Sequence, residues 1–272
     1  MTSAIRDGEF QTSDGVTIAF THHPRPRPDA PRLALIHSLA LDRSVWDGVV
    51  AVMRADTEVL TYDCRGHGRS GRLATAFNTG LFARDLAELL DHVGWPSAAV
   101  GGCSMGGCVA MAFAGAAPER VSGLGLIDTT SWYGAAAATE FRARAEAARA
   151  GGLAGLVDFQ IPRWFSGAFV HSHPDVVART IRIFVANDFE CYAQSCALLA
   201  DADLRRFLPA FGMPVSIVVG EEDQATPPAM ARQLHEAIPQ STLDTIPGAR
   251  HLTPIECPDR ISAALGTVLR PA

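Results

Sequence analysis

Nearly unbroken apolar runs recur along the first half of the chain, at residues 33–36, 59–62, 98–103 and 121–127, each ending in a polar or Gly-rich stretch. A strand covered on one face alternates apolar with polar residues, so continuous runs predict strands buried on both faces. Between them the spacing changes to that of a helix. Val45, Trp46, Val49, Val50 and Met53 form one apolar face, with Ser44 as its expected cap. Phe82, Leu86, Leu89, Leu90 and Val93 form another, closed by Gly94 and Pro96. Strand and helix in alternation predict a mostly parallel sheet with helices on both faces.

The two ends of this pattern differ from its middle. Residues 9–12 and 16–21 flank Asp14-Gly15 and read as an antiparallel hairpin. The stretch from His22 to Pro28 holds Pro24, Pro26 and Pro28, which remove amide donors, and is expected to be a loop. From residue 131 to 207 the strands stop, and helices are expected near 135–150, 175–186 and 191–199. Strand, helix, strand and helix then return at 215–219, 227–238, 242–246 and 258–269. The expected organisation is therefore a core of residues 1–130 and 208–272 interrupted by a helical cap, 131–207, inserted after the sixth strand.

Composition narrows the function classes. A net charge of −6 without a Lys/Arg cluster opposes nucleic acid as a partner. No apolar run reaches the ~20 residues of a spanning helix, and the stretch from Met1 to Asp7 lacks the apolar core of a signal peptide, so no membrane and a cytoplasmic location are expected. Six cysteines without a C-x-x-C pair read as buried free thiols. His171 and His173 lack a third ligand at a metal-binding spacing and read as a solvated loop, so no metal is expected.

The chemistry gathers around Gly102-Cys103-Ser104-Met105-Gly106, where a strand-like run passes at once into a helix-like one. This is the pattern of a nucleophile elbow: small residues two before and two after the serine let strand and helix pass closely, and the following amide, that of Met105, points at a developing oxyanion. A serine needs a histidine base, and the base an orienting carboxylate. In a parallel sheet these converge at the carboxyl ends of strands. Asp223 follows the strand at 215–219 and His251 the strand at 242–246, which gives the order Ser, Asp, His. Glu222 and Asp128 are alternative acids. The second oxyanion donor is expected from the amide of Leu39, after the run ending at Ile36. His37 is expected to shape that loop and His67 to bond within its own Gly-rich loop, whereas His22, His23, His92 and His235 read as surface residues.

Tyr62-Asp63-Cys64-Arg65-Gly66-His67-Gly68-Arg69-Ser70, the elbow, Ala117-Pro118-Glu119-Arg120 and Gly220-Glu221-Glu222-Asp223 together resemble the α/β-hydrolase superfamily over nearly the whole chain. Within the cap, Arg163-Trp164-Phe165 and Tyr192-Ala193 leading to Asp201-Ala202-Asp203-Leu204 are similar to the 3-oxoadipate enol-lactonases of aromatic catabolism, as is Ser38-Leu39. The chain departs from that family at His37, Ala40, Leu41 and Asp128, where it tends to have Asn, Gly, Thr and Asn. The resemblance implies an α/β-hydrolase fold, hydrolysis of an ester or lactone through an acyl-enzyme on Ser104, no cofactor, and a small substrate that can bear a carboxylate. Arg163 is the residue expected to hold that carboxylate, and Ser38, Trp132 and Trp164 are further candidates for substrate contact. A carboxylesterase, a homoserine-lactone hydrolase or a carbon–carbon bond hydrolase would use the same triad; a peroxide-dependent side reaction, a ligand receptor that has lost turnover, and a homo-oligomer are further readings.

Overall fold

The apolar runs are strands of one sheet in the computed structural model, which describes residues 5–25, 27–73 and 75–269. In chain order the strands are β1 (Arg6–Gln11), β2 (Thr17–His23), β3 (Arg32–Ile36), β4 (Glu58–Tyr62), β5 (Ala98–Cys103), β6 (Val121–Ile127), β7 (Val215–Gly220) and β8 (Ser241–Ile246). They lie in the order β1-β2-β4-β3-β5-β6-β7-β8. β2 runs antiparallel to both neighbours and every other pairing is parallel. Leu33, Ala34, Leu35 and Ile36 are all 0% exposed, as a strand covered on both faces requires.

Helices α1 (Asp47–Met53), α2 (Thr79–His92) and α3 (Met105–Ala116) cover the N-terminal part of the sheet, and α9 (Pro228–Ala237), α10 (Thr253–Glu256) and α11 (Pro258–Gly266) the C-terminal part. Between β6 and β7 come α4 (Ala137–Gly151), α5 (Val157–Trp164), α6 (Gly167–Ser172), α7 (Pro174–Val185) and α8 (Phe189–Asp201), a helical insertion, hereafter the cap. A lone backbone bridge, Trp132 with Asp203, joins the two ends of this insertion. The Gly-rich loop after β4 is anchored by Arg65, whose buried guanidinium bonds Asp85 of α2 at 2.6 Å and Asp14 of the hairpin turn at 3.0 Å.

Three local expectations need correction. His22 and His23 are not loop residues; they extend β2, paired with Leu60 and Val59, and the break starts only at Pro24. Pro26 lies outside the described residues. His22 is also half-buried, with Nε2 2.9 Å from Glu58 Oε1. The cap of the turn before α1 is Asp42 rather than Ser44: its carboxylate accepts the Ser44 amide at 2.9 Å. A carboxylate two residues upstream reaches that orphan N–H, so Ser44 lies inside the turn. His171 ends α6 instead of lying in a loop, and His173 stacks on Phe169 at 4.4 Å. The six cysteines are free, five of them buried. Among the described residues no helix is long and apolar enough to cross a membrane, and no three His, Cys, Asp or Glu side chains gather to hold a metal.

Candidate active site

Backbone strain marks the site before any side chain is considered. Among the described residues, three other than glycine have positive φ: Ala40 (56°), Ser104 (55°) and Asp128 (46°). Each follows the carboxyl end of one of three adjacent strands, β3, β5 and β6. Such conformations cost about 1–2 kcal/mol each and persist where the surroundings impose them. At Ser104 the amide donates to Ile127 O at 2.9 Å, and its carbonyl accepts Thr129 Oγ1 at 2.7 Å. Glycine is required on both sides. A Cβ on Gly102 would lie 2.1 Å from Gly106 O, and one on Gly106 would lie 2.2 Å from Ile36 O.

Ser104 Oγ is 2.9 Å from His251 Nε2, and His251 Nδ1 is 2.8 Å from Asp223 Oδ2. The Asp223 carboxylate is fully engaged. Oδ1 accepts the amides of Ala225 (2.7 Å) and Thr226 (3.0 Å), and Oδ2 also accepts Thr226 Oγ1 at 2.8 Å. Burial pushes this carboxyl up, but His251 and the Thr226 bonds outweigh it and hold it below the usual range. The loop of His251 is tied to the cap: its amide donates to Arg163 O at 3.4 Å, and the Leu252 amide to Trp164 O at 3.0 Å. The arrangement can take a proton from Ser104 and hold the resulting imidazolium against a carboxylate.

The alternative acids are engaged elsewhere. Glu222 turns outward to Arg250 at 3.2 Å. Asp128 is wholly buried and accepts the amides of Gly220 (3.1 Å) and Thr253 (3.0 Å) and the Thr253 hydroxyl (2.6 Å), which joins the end of β7 to the start of α10. Burial, and then the neighbouring Asp223 charge, push its carboxyl well up.

The amides of Leu39 and Met105 donate to no acceptor among the described residues, as oxyanion donors must before substrate arrives. Leu39 is the first inner residue of a turn closed by the Leu41 amide on Ser38 O at 3.3 Å. Proline is well accommodated at that position, so Leu39→Pro removes the N–H without breaking the turn. We expect it to lower kcat by about 100-fold or more with circular dichroism unchanged; full activity in a folded variant would remove Leu39 from the role.

His37 and His67 are both buried, with ring centroids 5.1 Å apart behind this loop. His37 Nδ1 donates to Ser38 O at 2.7 Å and its Nε2 accepts the Cys64 amide at 2.9 Å. His67 Nδ1 lies 3.0 Å from Arg65 O, within its own loop. Burial lowers His37 to about 4 and His67, with the charge of His37 as a second cause, to about 3. The unfolded chain therefore takes up these protons first. Stability from the pair is present above about pH 6.5, the unfolded value, and is lost as pH falls from there toward about 4. Urea midpoints between pH 7 and 4 test this: His67→Asn should flatten the decline, and an unchanged slope in that variant would refute it.

A cavity of about 160 Å³ opens over Ser104 and His251. A water occupies ~30 Å³ of liquid, so the space suits a small substrate. Of the expected contact residues, Ser38, Leu39, Arg163 and Trp164 line it. Trp132 does not; its ring is 4.0 Å from the Arg205 guanidinium at the neck of the cap. Tyr133, Glu140, Arg144, Gln160 and Thr226, none of them among the contacts expected from sequence, also line the cavity. Gln160 had a signal, since it interrupts the apolar spacing of Leu156 and Trp164, four residues away on either side. It is 2% exposed, and its Nε2, like Arg163 Nε, has no partner among the described residues. Tyr133 is a hydroxyl that burial pushes well above its ordinary value.

This architecture has known counterparts, because residues 31–258 match the family described as alpha/beta hydrolase fold. The chain belongs to that family. It is a hydrolase, 30% identical over 264 residues to 3-oxoadipate enol-lactonase 2 of Acinetobacter baylyi, covering 96% of this chain and 98% of the relative. The crystal structure of the enol-lactonase from Burkholderia xenovorans superposes with a TM-score of 0.90 at 29% identity, covering 96% of this hydrolase and 99% of that chain. A thermophilic esterase from Thermogutta terrifontis, with malate bound, gives 0.87 at 29% identity and 97% coverage of both.

Proposed function

We propose that this hydrolase opens a small carboxylate-bearing lactone of the enol-lactone class through an acyl-enzyme on Ser104, with His251 as base and Asp223 orienting it. The observation that carries the reading is the unbroken run from Asp223 Oδ2 through His251 to Ser104 Oγ, at 2.8 and 2.9 Å, opening into a cavity walled by cap arginines. His251 Nε2 takes the Ser104 proton as Oγ bonds the carbonyl carbon. The carbonyl electrons move to the oxygen facing the Leu39 and Met105 amides. On collapse the ring oxygen leaves and takes the proton from His251. Water then attacks the acyl carbon, giving a proton to His251, and Ser104 Oγ recovers it as the acid departs. A lactone leaves no separate alcohol, so the cap need not open between the two halves of the cycle.

The substrate class rests on charge. Arg144 and Arg163 line the cavity against one acidic residue, Glu140, and neither arginine comes within ion-pair distance of a carboxylate among the described residues. Arg163 Nη2 donates to Gln224 O at 3.0 Å, its Cζ lies 4.9 Å from the centre of the Phe159 ring, and its Nε has no partner among the described residues. An anionic substrate supplies the missing acceptors, and Gln160 adds a neutral donor beside them. The enol-lactonase names of the relatives support the same class, and aromatic catabolism is the setting this reading implies. The esterase of comparable similarity supports a carboxylesterase as the second reading.

Steady-state turnover of 3-oxoadipate enol-lactone beside p-nitrophenyl acetate decides between them. We expect the lactone to be favoured by about 100-fold or more in kcat/KM. Arg163→Ala should reduce that value about 30-fold for the lactone, through KM, and less than threefold for the ester, the loss expected of one charge-assisted bond. Cleavage of the ester alone would replace the lactonase reading with the esterase one.

A further inference from the structure

The turn that carries Leu39 is held from the cap. Its second inner residue, Ala40, sits at φ 56°, a conformation disfavoured for any residue with a Cβ. Within the turn, closure rests on the single 3.3 Å bond from the Leu41 amide to Ser38 O. The opposing contact comes from the end of α7, where Asn187 Nδ2 donates to Ala40 O at 2.7 Å. The same nitrogen faces Ile183 O at 2.9 Å and Phe184 O at 3.1 Å. Three carbonyl oxygens around one end of the amide fix that end as the donor. Beside this contact, core and cap are separated by an open cleft of about 940 Å³, lined by Asp42, Arg43, Arg179 and Asp188 among others. The ion pairs that cross it, Arg179 with Asp47 and Arg72 with Asp188, are exposed and therefore screened. The 2.7 Å bond from Asn187 is a directional, short contact across this seam, and it ends on the strained turn itself.

We propose that Asn187 is a positioning residue for the reaction: by holding the Ala40 carbonyl it keeps the strained turn in the form that presents the Leu39 amide to the oxyanion. A docked cap and a complete oxyanion hole are then one state of the molecule. If the cap lifts, Ala40 loses its restraint and the turn relaxes toward negative φ, carrying the Leu39 N–H away from the carbonyl it must meet. The inference rests on the reading of Ser104 and Leu39 given above.

The test is steady-state hydrolysis of p-nitrophenyl acetate by wild type, Asn187→Ala, Ala40→Gly and the double variant, with Ser104→Ala alongside. Asn187→Ala should lower kcat about 10-fold with KM within about twofold, because the competent turn is then populated only part of the time. In the Ala40→Gly background, where a left-handed φ is no longer disfavoured, the same substitution should cost less than about threefold. Asn187→Ser retains a donor for the helix-end carbonyls but is too short for Ala40, so it should reproduce the kcat loss in a protein of wild-type stability. An equal loss in both backgrounds, or a kcat within twofold of wild type for Asn187→Ala and Asn187→Ser, would overturn the proposal. Turnover that survives Ser104→Ala would instead overturn the reading of the active site, whatever Asn187 does.

Discussion

Ser104→Ala is expected to lower kcat for every ester or lactone the protein hydrolyses by about 10⁴-fold or more while leaving the fold intact. The size follows from what remains. Alanine leaves the free amides of Leu39 and Met105 and the cavity in place but removes the atom that would bond the acyl carbon, and His251 is left 2.9 Å from nothing it can deprotonate. Stability should change little, since φ 55° is imposed by the backbone bonds of Ser104 with Ile127, Thr129 and Gly107, none of which involves the hydroxyl. A melting temperature within about 2 °C of wild type would accompany the lost activity, corresponding to less than ~1 kcal/mol for a chain of this size. Single-turnover kinetics with an active-site phosphonate give an independent readout: wild type should be labelled stoichiometrically at Ser104 and the variant not at all. A variant retaining even one per cent of kcat would mean that another nucleophile does the chemistry.

The parts of this site that the sequence made legible are those fixed by local backbone rules. The elbow is readable because a serine between Gly102 and Gly106 follows a run of fully buried residues; the approach of Gly106 to Ile36 O leaves no room for a side chain. Asp223 and His251 are readable because strand ends in a parallel sheet are where loops converge. The limits arise where tertiary packing decides. His22 and His23 join β2 because that strand lies between β1 and β4 and both its edges are paired, which the neighbouring prolines conceal. α10 is four residues long, too short to show a period. The cap side of the cavity depends on how α4 and α5 meet the core, and their sequences show only helices with Arg144 or Gln160 on one face. Trp132, a candidate for substrate contact in the sequence, belongs to the neck of the cap, where it bridges Asp203 and lies beside Arg205. Asn187 carries no sequence signal at all, because its acceptor, Ala40 O, is 147 residues away.

Asp223→Asn should cost about 10⁴-fold in kcat although it changes one atom, and the hydrogen bonds around the carboxylate say why. Oδ1 accepts two backbone amides, from Ala225 and Thr226, so in the variant the carboxamide oxygen must stay on that side; a nitrogen there would oppose two N–H groups. The NH₂ is thereby directed at His251 Nδ1, which lies 2.8 Å from the present Oδ2. A donor at that position makes Nδ1 the acceptor and moves the ring proton to Nε2, where it points at Ser104 Oγ and removes the base. The protein should still fold, since the two backbone bonds persist and the Thr226 hydroxyl can rotate to accept. Glu222→Gln, whose parent carboxylate lies outward on Arg250, should leave kcat within about twofold. Asp128→Asn should act on stability instead, because Gly220 and Thr253 present donors to both oxygens and one of them would then meet an NH₂. Proton-detected NMR of the histidine ring nitrogens distinguishes the two tautomers directly. An Asp223→Asn protein with its proton still on Nδ1, or with kcat within tenfold of wild type, would require a different acid to orient His251.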